Sequence, residues 1–452
     1  MSDTSADVIV VENVSVIPMD SDRLLPNQTV VIVDGRVAAM GNVNSIKTPE
    51  DAVSIDGSGR FLLPGLADMH AHIYGFNNAE EEAQYTDTAQ AQLLIYAATG
   101  VTQLRDAGGS PGHFSHRARV ESGEWIGPDL FVASPIFEGV RNVWDFTVKV
   151  TDPEQVAPMV ADYASAGYWG LKVYHTVSPQ VFDEIMRAAN DHALLVMGHV
   201  PFDVGIDVVL RSGITSIEHL RGYDFDGVPV ENLWADGGRS RERFSSWIRM
   251  SESRRDELVA MTAQASVWNV PTLAINRMLF DPKARALAMQ HPRFTRLPAS
   301  LQKGMQSMEG LDAIFPLESR EALRDAYPVM LDFIGELSDA GAGLMIGTDS
   351  PVAGYVPGFT VIDEIQSFQE AGLTTFEALA SATVYPARYL GIEADRGTVA
   401  IGKRADLVLL DKNPLEDLEA LWAIHGVFLN GRWRSFSSLE AAIDALDTPA
   451  PE

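Results

Sequence analysis

Two histidines close an apolar segment near the start of the chain. His70 and His72 follow the run 61–69 and are spaced i, i+2. Successive side chains of a β-strand point to opposite faces, so residues i and i+2 share one face. Both imidazoles could therefore reach one ion at the end of the strand. Such a pair is also common by accident on protein surfaces, so the metal hypothesis depends on partners elsewhere.

Later apolar runs supply such partners. Runs 170–174, 193–199, 213–219 and 343–350 carry or end in potential ligands, namely Lys172, His199, His219 and Asp349. Helix-like stretches lie between them at 178–190 and 203–212. Strands alternating with helices, with polar groups at the strand C-termini, predict the active face of an α/β protein built as a (β/α)8 TIM barrel.

These six residues together resemble the amidohydrolase superfamily of metal-dependent hydrolases. The family places H-x-H on strand one, a lysine on strand four, histidines on strands five and six, and an aspartate on strand eight. Here those positions are His70, His72, Lys172, His199, His219 and Asp349. The likeness covers nearly the whole chain and is nearest to the imidazolonepropionase-like, Xaa-Pro or Xaa-Arg dipeptidase branch.

Composition sets the class of protein. The 452 residues, 46% of them hydrophobic, suit one large domain and one smaller domain. Without cysteine, a metal must be held by imidazole, carboxylate or water. No signal peptide and no apolar run near the ~20 residues of a membrane span is visible, so the cytoplasm is expected. The net charge of −28 argues against nucleic acid. We expect a small-molecule substrate, no membrane partner and a homo-oligomer.

Both ends of the chain read as short strands. Hairpin signals occur at 34–35 and 430–431, and 397–399, 405–410 and 426–429 are strand-like. We predict a small β-sandwich built from residues 1–64 and 391–452, flanking a hydrolase barrel at 65–390. Barrel strands are predicted near 65–70, 101–106, 129–134, 169–174, 194–199, 214–219, 266–271 and 343–349. Long connections at 220–250 and 272–323 either shape the substrate pocket or form oligomer contacts.

The resemblance implies a two-metal site, with zinc the expected metal. One ion would be held by His70, His72 and Asp349, the other by His199 and His219. Lys172, carboxylated by CO2, would bridge them; a buried ion-pair partner is the alternative for this lysine. A hydroxide shared by the metals would attack the substrate. Asp349 would pass its proton to the leaving nitrogen, although an aspartate before Ser350-Pro351 could instead cap a helix.

Several further side chains are candidates for contact with substrate. Tyr174 and His175 end strand four and could polarise a carbonyl. Tyr74, Trp144 and Tyr223 follow strand ends and could line an apolar pocket, with aromatic core packing as the alternative. His113 and His116 are expected on an exposed loop rather than at the substrate. Arg105 and Asp106 are expected to form an ion pair that braces the barrel.

The sequence constrains the identity of the bond that is cut less than it constrains the metal ligands. Deaminating family members carry a glutamate three residues past the strand-five histidine, whereas Phe202 stands there. Pro201 departs from the dipeptidase pattern, and Arg141, Arg221 and Arg277 remain as candidates for binding a substrate carboxylate. We predict hydrolysis of an amide-type C–N bond in a peptide, N-acyl amino acid, urea or carbamate. The alternatives are an esterase or lactonase on the same site, or a catalytically silent scaffold.

Overall fold

The computed structural model describes residues 8–141, 146–233, 240–290, 294, 302, 315–351 and 356–446. Trp144 lies outside the described residues. The strands, numbered in chain order, are β1 (Val8–Val16), β2 (Leu25–Val33), β3 (Arg36–Asn42), β4 (Val53–Asp56), β5 (Phe61–Pro64), β6 (Leu66–Ala71), β7 (Val101–Asp106), β8 (Asp129–Val132), β9 (Phe137–Glu138), β10 (Val148–Lys149), β11 (Gly170–Val173), β12 (Leu195–Gly198), β13 (Ser216–Glu218), β14 (Trp268–Val270), β15 (Gly343–Leu344), β16 (Leu407–Leu410), β17 (Ile424–Leu429) and β18 (Arg432–Ser435).

Strands from both ends of the chain form one sheet. Its order is β18-β17-β16-β5-β1-β2-β3, and β4 also pairs with β1. Antiparallel pairing of β5 with β16, for example Leu62 with Leu409, joins the two ends. The predicted hairpin turns at 34–35 and 430–431 connect β2 to β3 and β17 to β18. They meet where the Ala405 amide donates to the Gly35 carbonyl and the Gly431 amide donates to the Ala405 carbonyl.

The predicted β-domain built from both chain ends is present, and it differs from the prediction in one detail. Its strands form one connected sheet that encloses an apolar core, including Ile9, Val37, Phe428 and Trp433. Residues 397–399 form no strand. Val399 is nevertheless buried in that core, which explains why its sequence reads as strand-like.

The barrel consists of the eight parallel strands β6, β7, β8 and β11 to β15. Isolated parallel bridges close the gaps between its two sheets, joining Ala133 to Gly170 and Ala71 to Ser350. The strands begin within two residues of their predicted starts. The eighth is the shortest, because only 343–344 pair regularly before the chain bends towards β6.

Helices cover the barrel. They are α1 (Ala79–Ala98), α2 (Gly112–Ser122), α3 (Val156–Ala166), α4 (Pro179–Asp191), α5 (Ile206–Val209), α6 (Val230–Leu233), α7 (Arg241–Arg249), α8 (Glu252–Ala265), α9 (Leu273–Phe280), α10 (Pro282–Gln290), α11 (Leu317–Asp339), α12 (Phe359–Glu370), α13 (Thr375–Ala380), α14 (Val384–Tyr389) and α15 (Phe436–Leu446). In α4, Ser178 accepts a hydrogen bond from the Val181 amide and Pro179 starts the helix, a favourable N-terminus.

The two long connections carry helical structure of their own. Helices α6 and α7 and a 3-10 turn, Tyr223–Phe225, lie within 220–250, while α9, α10 and the start of α11 lie within 272–323. Within the described part of the chain, no helix is both long and apolar enough to cross a bilayer.

Candidate metal centre

Three of the predicted ligands, all histidines, surround Asp349, and Lys172 lies beside one of them. The Asp349 carboxylate lies 3.1 Å from Nε2 of His72, 3.5 Å from Nε2 of His70 and 4.0 Å from Nε2 of His219. Lys172 Nζ lies 3.5 Å from Nε2 of His70. The ligand atoms of His70, His72 and Asp349 all lie within 4.8 Å of one another, a spacing that could hold a metal ion. These groups meet because the C-terminal ends of parallel barrel strands share one face.

The sixth predicted ligand is part of the same cluster. The ring of His199 lies 4.9 Å from that of His219, centroid to centroid. His199 follows Gly198, whose φ is +148° and whose missing Cβ would lie 2.1 Å from the Val173 carbonyl oxygen. Only glycine permits this approach of β12 to β11. This close approach fixes the position of His199 along the barrel axis, beside Lys172 on β11.

Two of the predicted ligands occupy left-handed backbone conformations. His219 has φ of +58° and Asp349 has φ of +57°. The preceding residue, Glu218, points into the barrel, so regular strand geometry would turn His219 outwards. The left-handed backbone redirects its ring into the cluster. Non-glycine residues rarely adopt this conformation, and such strain concentrates at functional sites.

The Nδ1 atoms of three histidines have partners that fix the rings. His70 Nδ1 contacts Glu218 at 2.5 Å, and His219 Nδ1 contacts Thr272 Oγ1 at 2.7 Å. His199 Nδ1 contacts His175 Nε2 at 2.9 Å. Metal-bound histidines are held by partners on the other ring nitrogen. The Nε2 atom of His199 is buried and has no hydrogen-bond partner among the described residues. This donor set therefore fits divalent metal.

Burial favours the neutral forms of the site histidines and of Lys172, which are the forms that metal binding and carboxylation require. Burial is the main cause that holds the pKa values of His70, His199 and His219 well below 6.5, which keeps these imidazoles neutral. It also lowers the pKa of Lys172 to about 8, against the opposing effect of Glu218 and Asp349. A neutral amine is the form of lysine that can react with CO2.

Glu218 is the main site residue that the sequence analysis did not single out. Its carboxylate is buried, and it accepts hydrogen bonds from Arg105 Nη2 at 2.8 and 2.9 Å and from Ser216 Oγ at 2.7 Å. Arg105 therefore forms its ion pair with Glu218, and the prediction that it pairs with Asp106 was wrong. The sequence signal that could have identified Glu218 is the presence of an acidic residue inside the apolar run 213–219.

Two buried aspartates hold the loops that carry the ligands. Asp68 accepts hydrogen bonds from the His70 amide at 3.1 Å and from Thr348 Oγ1 at 2.6 Å, which ties β6 to the loop before Asp349. Asp106 accepts from the Ile73 amide at 2.7 Å, just after His72.

His113 and His116 are buried on α2, which corrects the prediction of an exposed loop. His113 Nε2 lies 3.3 Å from Asp106 Oδ2. Burial works to raise the pKa of Asp106, but His113 outweighs it and the pKa falls to about 2. Burial likewise works to lower the pKa of His113, but Asp106 outweighs it and the pKa rises above 6.5.

This ion pair predicts a pH-dependent stability difference. The Asp106 contribution is present above pH 3.8 and is lost as the pH falls through about 2. The His113 contribution is present below pH 6.5 and is lost as the pH rises through the raised pKa. We expect His113→Gln to cost about 3 kcal/mol of unfolding free energy between pH 3.8 and 6.5, and less on either side. Urea denaturation at pH values inside this range and well above pH 6.5, with exposed His192→Gln as control, checks the prediction. A cost of His113→Gln that does not change with pH contradicts it.

The other predicted contact residues differ in position. Tyr174 is partly exposed, with its ring 4.1 Å from that of His199, and Tyr74 is 41% exposed and stacks on Tyr85. Tyr223 does not reach the site. It is fully buried, and its hydroxyl contacts Thr262 Oγ1 at 2.9 Å. Tyr223 therefore packs in the core, which was the alternative expectation for this residue.

His175 has a different role from the predicted polarisation of a carbonyl. It is buried, and its Nε2 atom contacts Nδ1 of His199. We therefore reassign it to the orientation of His199. We expect His175→Phe, which keeps the packing against Phe202, to weaken metal binding roughly 10–100-fold. Metal titration measures the affinity, and His175→Gln should restore part of it. Unchanged metal affinity in His175→Phe would refute the role of His175 in orienting His199.

Comparisons with known proteins agree with this geometry. A family model described as "Amidohydrolase family" matches residues 320–434. An imidazolonepropionase of Geobacillus sp. (strain WCH70) is 21% identical over 415 residues, which cover 87% of this chain and 86% of that protein.

Solved structures share the fold along nearly the whole chain. A Xaa-Pro dipeptidase with bound methionine superposes with a TM-score of 0.70 at 20% identity, covering 95% of this chain and 100% of the other. A bottromycin amidohydrolase superposes with a TM-score of 0.72 at 23% identity, covering 98% of this chain and 91% of the other. Residues 320–434 thus match the amidohydrolase family, and the chain is similar along most of its length to imidazolonepropionases and shares its fold with solved amidohydrolases.

Proposed function

We propose that this protein is a metal-dependent hydrolase that cleaves an amide-type C–N bond in a small substrate. A peptide, an N-acyl amino acid, a urea or a carbamate fits this chemistry. The observation that carries the proposal is the convergence of His70, His72 and His219 on Asp349, with Lys172 beside His70 and His199 beside His219. Hydrolysis of C–N bonds is also the chemistry of the superfamily.

The ligands divide into two sets. His70, His72 and Asp349 would hold one ion, and His199 and His219 the other, with zinc our choice of metal because the donors are nitrogen and oxygen. Lys172 would bridge the two as a carbamate, whose two anionic oxygens can serve two cations. When bound, the ions supply Lewis acidity and make hydroxide accessible near neutral pH.

The protein's own groups would handle the proton and the substrate. Asp349 accepts a proton from the attacking water and delivers it to the departing nitrogen. Tyr174 would donate a hydrogen bond to the oxygen of the scissile group, a role that its partial exposure beside His199 supports.

One arginine suits a substrate that carries a carboxylate. Arg221 follows the ligand loop, contacts Asp224 at 3.1 Å, and its buried Nε atom has no hydrogen-bond partner among the described residues. Arg277 instead pairs with Glu370 near the surface, and Arg141 is exposed. We therefore favour dipeptides and N-acyl amino acids over uncharged ureas.

The substrate class can be tested with matched compounds. Metal-reconstituted enzyme is assayed with dipeptides, N-acyl amino acids, aryl ureas and the ester analogue of each amide. We expect amides with a free carboxylate to be turned over fastest. Exclusive turnover of esters would establish the esterase alternative, and protein with no bound metal after metal-replete growth would favour the silent scaffold.

The bridging role of Lys172 has a separate test. We expect Lys172→Ala to lose metal and activity by more than the roughly 10–100-fold effect of an outer partner, because a direct ligand is removed. Short carboxylic acids should restore part of the activity by replacing the carbamate. Lys403→Ala is the matched control, and full metal content with full activity in Lys172→Ala would refute the role.

A further inference from the structure

A cavity of about 690 Å³ lies at the end of the barrel opposite the candidate metal centre. Asp129 begins β8 and Trp169 precedes β11, so both lie at the N-terminal ends of barrel strands. The segment before β16 and the β17–β18 hairpin complete the lining. The volume falls within the range of roughly 300–1,000 Å³ that is typical of small-molecule sites.

The charge of this cavity opposes that of the whole protein. Five arginines line it, namely Arg117, Arg396, Arg404, Arg432 and Arg434, against two carboxylates, Glu121 and Asp129. Counting Asp406, which contacts Arg396 and Arg404, leaves the cavity with a positive excess. The chain carries 62 acidic and 34 basic residues, so a cationic pocket is a local exception. A ligand that offers negative charge is the natural complement.

The arginines are not all neutralised by neighbouring carboxylates. Arg404 lies 3.2 Å from Asp129, and Arg396 contacts the same carboxylate. Arg396 is also paired with Asp406, whose Oδ2 atom lies 3.5 Å from its Nη1 atom. Arg117, by contrast, lies 3.8 Å from Glu121 on the exposed side of α2, which is beyond hydrogen-bond distance. Arg117 therefore keeps donor capacity that a ligand could use.

Arg432 extends over the end of α2, where the chain leaves space for it. A Cβ at Gly123 would lie 2.3 Å from its Nη1 atom, so any larger residue there would displace the guanidinium. Arg432 is exposed, and no ion pair with a described carboxylate holds it. A planar guanidinium with five donors matches phosphate oxygens in paired hydrogen bonds.

Aromatic side chains form the rest of the wall. Trp169 and Phe131 are partly buried, and their rings meet edge to face at 6.3 Å. Such rings offer flat apolar surface to a planar ligand. From the arginine forks and these rings together, we propose that the cavity binds a phosphorylated small molecule with a flat ring, of the nucleoside monophosphate class. This site is independent of the hydrolytic one.

Calorimetric titration of the full-length, metal-loaded protein tests the proposal. AMP, adenosine and inorganic phosphate are the three probes, so that the ring and the phosphate are measured separately. We expect AMP to bind at least tenfold more tightly than either fragment. The proposal is overturned if adenosine or phosphate binds as tightly as AMP, or if AMP does not bind at millimolar concentration.

Variants locate the binding. We expect Arg432→Gln and Arg117→Gln each to weaken AMP binding roughly tenfold, because each removes charged hydrogen bonds. Neither is needed for the Asp129 network, so the fold should be retained, which circular dichroism and metal content confirm. Arg187→Gln, on the exposed face of α4, is the matched control. AMP affinity that is unchanged in both cavity variants would contradict the assignment.

Discussion

Asp349→Asn is expected to lower kcat by about 10³-fold while the protein stays folded. Asparagine keeps the size of the side chain and one oxygen that can contact His72, but it cannot take a proton. General acid–base groups contribute typically about 10²–10⁴-fold, and the loss of a ligand charge adds to this. Steady-state kinetics at equal metal occupancy, measured by elemental analysis, separates the proton-transfer effect from metal loss.

The control for this variant is Asp325→Asn, an exposed aspartate on α11 that pairs with Arg324. It should leave kcat unchanged, because surface ion pairs of this kind contribute little. If Asp349→Asn retained full activity at full metal occupancy, the proton-transfer role would have to move to another group.

Glu218→Gln is expected to destabilise the protein by about 3–5 kcal/mol. Arg105 and Glu218 are both fully buried, so removing the carboxylate charge leaves the guanidinium uncompensated inside the barrel. His70 also loses the anionic partner of its Nδ1 atom, so metal affinity should fall as well. Urea denaturation and metal titration measure the two effects.

Two further variants make this interpretation specific. Glu184→Gln, which breaks an exposed pair with Arg187, should change the unfolding free energy by less than about 0.5 kcal/mol. The double variant Arg105→Met/Glu218→Leu should recover part of the stability of Glu218→Gln but not the metal affinity, because it removes both charges. Equal stability of Glu218→Gln and wild type would contradict the buried-charge argument.

The sequence predicts the barrel and the proximity of the candidate ligands well because both depend on local patterns. Each ligand ends or interrupts an apolar run, and parallel strands bring the ends of such runs together. His70, Lys172 and His199 therefore meet although more than 100 residues separate the first from the last. Their position along the chain is enough to place them on the same face.

The sequence does not show which distant side chains pair with one another. Arg105 is adjacent to Asp106 in sequence, yet strand alternation turns them to opposite sides and their partners, Glu218 and His113, come from distant segments. His175 follows Tyr174 and looks equivalent to it, but only one of the two contacts Nδ1 of His199. These assignments depend on tertiary geometry that no local pattern encodes.

The pairing of β5 with β16 has a consequence for how the protein is made. Pro64 and Leu407 are register partners, so the ribosome must synthesise the entire barrel before the N-terminal strands acquire this neighbour. Until then, β5 presents an open edge of apolar residues, including Leu62 and Leu63. Contacts of such long sequence separation form slowly. The nascent chain should therefore be most prone to aggregation, and most dependent on chaperones, just before its last strands emerge.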